Sequence, residues 1–300
     1  MARIGFLGAG VMGGAMIRNL LGGGHEVCVY NRTLEKARAL EADGATLAAT
    51  PREAAAGADA IYSMVTNDDA SRACWTGADG ALAGDFKPGA LAIEGSSVSR
   101  DWVLELAGLA AAKGLRFLDC PVAGRPDVAK AGTLWVYAGG AADDVEAARP
   151  ILEPLSRSIT HFGPTGSGIA FKLIYNVMGT IQVAALGEAL YACEAAGIDL
   201  ATAAETFSTA NTASPHVVRH SQYMAHDAHE DPVQFSAFGR IKDLSYGIDL
   251  IEKIGAQSVI GRATRSVFEQ MVARGEGDLN DSELIDTLRA EHGTGRSAKS

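Results

Sequence analysis

Basic residues are in deficit: 26 lysines and arginines stand against 36 aspartates and glutamates in 300 residues, a net charge of −10. A nucleic acid partner needs a basic face that releases its counterions, and this composition does not supply one. An anionic cofactor stays compatible, because it needs only a local site. Cysteine is scarce as well. Cys28, Cys74, Cys120 and Cys193 lie far apart and form no CxxC. That excludes a zinc knuckle and a disulfide framework, and predicts reduced thiols in a cytoplasmic setting. No stretch reaches about 18 consecutive apolar residues, and Arg18 and Asn19 interrupt the Gly-rich run near the start. Neither a membrane span nor a targeting segment is predicted. Internal repeats are also missing.

What remains is an ordinary globular composition, 47% hydrophobic and 21% charged, of a length that suits about two domains. The first half alternates strand and helix. Strands are predicted at Arg3–Leu7, Glu26–Tyr30, Ala60–Val65, Ala90–Ile93, Arg116–Asp119 and Thr133–Ala138. Helices are predicted at Val11–Leu21, Thr33–Asp43, Trp102–Lys113 and Asp143–Leu155. Such alternation means a mainly parallel sheet with helices on both faces. The second half reads as all-α. A nearly unbroken helical pattern runs from Ile169 to Ala196, about 40 Å at 1.5 Å per residue. Leu200–Phe207, Gly239–Ile254, Ser258–Ala273 and Asp281–Glu291 follow as helices. So long a spine in a small domain predicts a shared interface, hence a homodimer or homotetramer. The division expected is 1–164, 165–292 and a polar tail 293–300 that frays.

Gly8-Ala9-Gly10-Val11-Met12-Gly13 is a G-x-G-x-x-G that follows a strand and opens a helix. Gly8 permits the tight turn, Gly10 the approach of a pyrophosphate, and Gly13 close helix packing. The free N–H groups of a helix start suit the phosphates. The first domain is therefore expected to be an α/β Rossmann domain, a doubly wound parallel sheet, ahead of the all-α domain built on the long helix. At the end of the second strand, NAD-binding chains place a carboxylate for the ribose 2′-OH. This chain has Asn31-Arg32-Thr33 there. Arg32 suits a 2′-phosphate, with Asn31 and Thr33 as donors, so NADP (NADPH) is the preferred cofactor and NAD a possible one.

Gly166-Ser167-Gly168 precedes the long helix, and Lys172 and Asn176 share one of its faces at i, i+4. Lys172 lies in the apolar stretch Ile169-Ala170-Phe171-Lys172-Leu173-Ile174. A desolvated lysine there suits acid–base work, and a solvated one would be bland; spacing leaves both open.

Four segments, in order, resemble the β-hydroxyacid dehydrogenases, the 3-hydroxyisobutyrate dehydrogenase-like enzymes with a 6-phosphogluconate dehydrogenase-type NADP-binding domain. They are Gly5 to Gly13 with Asn31-Arg32-Thr33; Asp119-Cys120-Pro121-Val122-Ala123-Gly124 running on to Ala131-Gly132-Thr133-Leu134; Gly166-Ser167-Gly168 with Lys172 and Asn176; and Lys242-Asp243-Leu244. The resemblance implies that Lys172 is the acid–base lysine and Asn176 its hydrogen-bonding neighbour. It implies that Lys242 lies on the cofactor side, and that Val65, Thr66 and Ser97 flank ribose, nicotinamide and substrate. No metal is implied. The substrate would be a small anionic hydroxy acid or aldehyde, such as a semialdehyde. Where the family commonly has Ser-Gly-Gly, this chain has Ala123-Gly124-Arg125. Arg125 is then either an anion partner or a solvated side chain. Two other readings compete: an imine reductase on the same architecture, and a non-catalytic cofactor-bound interaction module. Both usually lack a residue like Lys172. The i, i+4 pair His216/His220 offers metal-ligand spacing, yet no recognised ligand set closes around it.

Overall fold

Short aliphatic runs, each followed by a turn and a helix, give the first half its sheet. The computed structural model describes residues 1–291; the tail 293–300 expected to fray lies outside the described residues. By compactness the chain divides into a unit ending at Lys172 and a second starting at Leu173. The division falls inside one helix.

In the first unit the strands are β1 (Arg3–Leu7), β2 (Glu26–Tyr30), β3 (Thr46–Ala48), β4 (Ala60–Ser63), β5 (Leu91–Glu94), β6 (Arg116–Asp119), β7 (Val122–Ala123), β8 (Leu134–Gly139) and β9 (Ser156–Gly163). They form one nine-stranded sheet, ordered β3-β2-β1-β4-β5-β6-β8-β7, with β9 paired to β8. The strands from β3 to β6 are parallel; β8 runs antiparallel to β6 and β7, and β9 runs parallel to β8. Every turn that follows a strand between β1 and β6 therefore leaves on one edge of the sheet. The helices are α1 (Val11–Gly22), α2 (Pro51–Ala55), α3 (Asp68–Trp75), α4 (Arg100–Ala111), α5 (Pro126–Lys130) and α6 (Ala142–Leu152). Ile4, Phe6, Met16, Ile17, Leu20, Val29, Tyr62 and Ile93 are buried in the core beneath them.

The mainly parallel sheet is as expected, with corrections in detail. The segment Thr33–Asp43 is not an α-helix but two 3₁₀ turns, Leu34–Lys36 and Arg38–Leu40. Only Ala37 and Leu40 are buried there, too narrow an apolar stripe to hold a longer helix. The short elements β3, α2, α3, β7, α5 and β9 escaped the periodicity analysis. β9 has no buried residue, half of it is exposed, and it shows no regular alternation. α2 and α3 did carry local signals: Thr50 accepts from Glu53 N–H and precedes a proline, and Asn67 accepts from Ala70 N–H.

The helix α7 (Ser167–Ala195) starts in the first unit and runs on as the spine of the second. It has the length and apolarity of a membrane span, but half of that apolar window is buried inside the fold. The second unit adds α8 (Leu200–Thr209), α9 (Pro215–His226), α10 (Ala237–Lys253), α11 (Val259–Ala273) and α12 (Leu284–Glu291). Its core gathers Val183, Leu186, Leu190, Met224, Leu244, Phe268 and Ile285. α9, which is not among the helices predicted, is capped by Ser214, whose hydroxyl accepts from Val217 N–H.

Gly247 sets how closely α10 approaches α7. A Cβ there would lie 2.3 Å from Val177 Cγ2 and 2.9 Å from Leu173 O. Alanine ordinarily favours a helix by about 1 kcal/mol over glycine, but here a backbone oxygen cannot yield. Gly247→Ala is expected to destabilise the protein by about 1–3 kcal/mol, read as a lower urea midpoint; a raised midpoint would show that the two helices separate freely.

Candidate active site

The turn after β1 is shaped by backbone sterics. Gly8 sits at φ +105, and a Cβ there would meet Met64 O at 2.3 Å. A Cβ at Gly13 would meet Gly8 O at 2.0 Å, whereas one at Gly10 would meet nothing within 4 Å. Gly8 and Gly13 thus close the turn, and Gly10 leaves the space in front of it open. Gly10 caps α1 without a side chain, and the first turn of α1 carries no acidic residue. The start of α1 therefore presents N–H groups and a positive dipole end, with Val11 exposed and Met12 half-buried beside it. These features fit a dinucleotide pyrophosphate.

At the end of β2, Asn31 ties the turn together. Its Oδ1 accepts from Ala9 N–H at 2.9 Å and its amide donates to Thr33 O at 2.7 Å. Asn31 is thus largely committed to shaping the turn. Arg32 and Thr33 are exposed. Arg32 is the cation at this end, close enough to act on the Tyr30 hydroxyl, although burial is the larger influence and raises that group's pKa. After β4, Val65 is half-buried and Thr66 exposed; after β5, Ser97 is half-buried. Val65 N–H donates to Ser96 Oγ at 2.8 Å, which binds the two loops together.

The most constrained part of the site surrounds Asp119, the last residue of β6 and fully buried. Its carboxylate accepts from Gly166 N–H and Ile169 N–H, both at 2.7 Å. These are amides at the start of α7, so the side chain caps a helix lying 47 and 50 residues further along the chain. Burial raises the Asp119 carboxyl and the amides of Gly166 and Ile169 oppose it, which leaves the group pushed up to about 6. The approach is close. A Cβ at Gly168 would lie 2.3 Å from Tyr137 O, and one at Gly139 would lie 2.5 Å from Asp119 Oδ1. Phe171 stacks on Phe162 at 4.0 Å and meets Tyr137 edge-on at 4.8 Å. Capped, pressed against the strands and clamped by aromatics, the first turn of α7 delivers Lys172 to the unit that holds the phosphate turn. Lys172 is 8% exposed.

Of the segment that departs from Ser-Gly-Gly, Ala123 is buried on β7 and Gly124 takes φ +141, where a side chain is strained. Arg125 is three-quarters buried, with Nε 3.6 Å from Asp127 Oδ1, and is no freely solvated side chain.

The second unit holds the other two residues singled out. Asn176 stands one turn beyond Lys172 on α7 and is buried; its amide donates to Asp243 Oδ2 at 2.8 Å. Lys242 pairs with Asp243 Oδ1 at 3.0 Å. Asp243 thus joins two predicted residues, a role that sequence reasoning did not assign to it. The pair His216/His220 does not converge on one point. His220 directs Nδ1 to His216 O and Nε2 to Asp281, which also binds Arg240. Burial, then Arg240, depresses His216 to about 4. A different set, Asp227, His229 and Asp286, brings one possible ligand atom each within 4.8 Å of one another. Within that set Asp286 is already bound by Arg289 at 2.7 Å, a cation that opposes a metal ion.

Known proteins match the chain along nearly its whole length. The pattern of the NAD-binding domain of 6-phosphogluconate dehydrogenase covers residues 3–163. That of the NAD-binding domain of NADP-dependent 3-hydroxyisobutyrate dehydrogenase covers residues 166–288. The 3-sulfolactaldehyde reductase of Escherichia coli is 32% identical over 98% of each chain. The 3-hydroxyisobutyrate dehydrogenase of Mycobacterium tuberculosis, solved with L-serine, superposes with a TM-score of 0.86 at 30% identity, over 96% of this chain and 99% of the other. An imine reductase of Myxococcus stipitatus, at 23% identity and a TM-score of 0.58 over 95% and 99% of the two chains, shares the fold.

Removing the Asp119 carboxylate leaves two helix-start amides without their acceptor. Asp119→Ala is expected to lower stability by about 2–4 kcal/mol in urea unfolding. It should also reduce kcat more than cofactor affinity, because α7 carries Lys172 and the phosphate turn does not depend on it. Equal losses in both would contradict the anchoring role.

Proposed function

Because the chain belongs to the 3-hydroxyisobutyrate dehydrogenase family, with its 6-phosphogluconate dehydrogenase-type NAD-binding domain, we propose that it interconverts a small anionic hydroxy acid and its aldehyde or ketone with NADP(H), using Lys172 as the acid–base group. It is an NAD(P)-dependent oxidoreductase acting on CH–OH groups. The observation that carries the proposal is the burial of Lys172 on a helix start anchored to the same sheet edge as the phosphate turn.

The nicotinamide, when bound, accepts or supplies the hydride at its C4. The residues of the chain do the rest. In reduction, the Lys172 ammonium stabilises the negative charge growing on the carbonyl oxygen and gives that oxygen a proton. In oxidation, the Lys172 amine takes the hydroxyl proton as hydride leaves the carbon. The carbonyl, one hydride and one proton thus balance the alcohol in either direction. Burial of Lys172 keeps competing water from that oxygen. Asn176 supports the same α7 face one turn on. The backbone at Ala123–Gly124 and the cation of Arg125 are the proposed seat of the substrate's anionic group.

Arg32 and the lack of a carboxylate after β2 support NADP over NAD. The exposed apolar residues Ile174, Tyr175 and Met178 of α7 support self-association as a homodimer or homotetramer. Four free cysteines support a cytoplasmic setting. For the substrate, the relatives point to short chains with an anionic head: a hydroxy acid, a semialdehyde or a sulfonated aldehyde. An imine reductase role finds no support beyond the shared fold.

Lys172→Ala is expected to reduce kcat by about 10²–10⁴ on a panel of short aldehydes and hydroxy acids, with cofactor affinity measured by fluorescence unchanged. Retention of most of the activity would sink the assignment. Arg32→Ala is expected to raise the KM for NADPH by about ten- to a hundredfold while that for NADH moves little. Equal changes for both cofactors would remove the NADP preference.

A further inference from the structure

The order of strands gives the sheet edge a direction. Asn31 and Arg32 follow β2, the phosphate turn follows β1, and the order β2-β1-β4-β5 leaves the loops after β4 and β5 for the nicotinamide end. Beneath those two loops lies Glu94, the last residue of β5 and 1% exposed. No role in the chemistry above falls to it.

Its hydrogen bonds all point inward. Glu94 Oε2 accepts from Ser71 Oγ at 2.6 Å and from Trp75 Nε1 at 2.9 Å; Oε1 accepts from Ser96 N–H at 2.9 Å, and the Ser96 hydroxyl bonds to the carboxylate as well. The indole and the amide can only donate. The Ser71 hydroxyl accepts from Trp102 Nε1 at 2.8 Å and donates its own proton to Glu94 Oε2. The Ser96 hydroxyl accepts from Val65 N–H at 2.8 Å and bonds to the Glu94 carboxylate with its own proton. With obligate donors on both oxygens, Trp75 Nε1 on Oε2 and Ser96 N–H on Oε1, an acid proton on Glu94 would have to displace one of the two serine protons from its bond. Burial raises its pKa, and these four bonds from Ser71, Ser96 and Trp75 pull it back. Among the described residues no lysine, arginine or histidine pairs with it. The cations that reach its neighbours are not bonded to it: Arg72 on α3 stacks on Trp102 and pairs with Glu105, and Arg32 acts on Cys74. Tyr62 on β4 and Cys74 on α3 are held neutral by burial, Cys74 pushed up to about 12. Asp119, its register partner on β6, is committed to the amides of α7.

We infer that Glu94 is a buried ionised carboxylate under the nicotinamide end of the cofactor site, where it favours the oxidised, positively charged nicotinamide over the reduced, neutral one. Glu94 acts as a positioning and electrostatic residue through Ser96 and the Val65 loop. Its field is weakly screened because it is desolvated and has no counter-ion. The phosphates carry the same charge in both redox forms, so their repulsion cancels in the comparison. The inference rests on the dinucleotide reading of this edge.

The test is the pair of dissociation constants for NADP+ and NADPH, measured on the full chain by titration calorimetry and nicotinamide fluorescence. Glu94→Gln is expected to weaken NADP+ relative to NADPH by roughly three- to tenfold, the scale of one buried charge at a protein's effective permittivity. Glu94→Asp should keep the ratio, even if both affinities drop. A Glu94→Gln ratio equal to that of the unmodified protein, with both affinities lowered together, overturns the inference and leaves Glu94 a purely structural residue. Should that variant not fold, Ser71→Ala removes one donor and makes protonation easier. Its NADP+/NADPH preference is then expected to fall at a higher pH than in the unmodified protein, and identical pH profiles for the two overturn the inference. If the unmodified chain binds neither redox form, the dinucleotide reading itself fails.

Discussion

One carboxylate, that of Asp119, holds the end of the sheet to the start of α7. Its two 2.7 Å bonds to Gly166 and Ile169 amides bridge segments about fifty residues apart. Hydrogen bonds to a charged acceptor contribute about 1.5–3 kcal/mol each, so this pair alone is a sizeable part of a typical folding free energy. The glycines around it follow from the same constraint. Gly168 and Gly139 lack side chains because helix and strands come within backbone contact there. Without that contact, the lysine on the next turn of α7 would have no defined distance from the phosphate turn.

Charge is managed locally against a net −10 background. Where phosphates would sit, the chain offers helix amides, Arg32 and no acid. The carboxylates near that edge, Glu94 and Asp119, are buried at the ends of β5 and β6 and bound to donors. In the second unit the pattern repeats with ion pairs: Asp243 with Lys242, and Asp281 with Arg240 and His220. Buried charges of this kind are expensive to leave unpaired. That accounts for the number of bonds each one makes.

How much was legible depended on whether the signal was local. The G-x-G-x-x-G turn and the long α7 pattern are local, and so is the clustering of Ile, Val and Leu that marks β1, β2 and β4 to β6. Backbone sterics and side-chain periodicity act over a few residues, so these could be read directly. The segment after β2 was misjudged because a helical composition there lacked a face to bury. β9 was missed because an exposed strand at the far side of the sheet has no alternation to betray it. Local cues for α2 and α3 existed in Thr50 and Asn67, as capping side chains, but no apolar stripe drew attention to them.

The sequence by itself determined the α/β class, the phosphate turn, the expectation of a 2′-phosphate beside Arg32, and Lys172 as the residue to watch. Only the tertiary structure decided that Asp119 caps α7, that Asp243 links Asn176 to Lys242, and that Glu94 gathers Ser71, Trp75 and Ser96. The physical reason is separation along the chain. A buried carboxylate is recognisable only by the donors that surround it, and those come from elements 19 to 67 residues away, or from the turn beside it, brought together by folding.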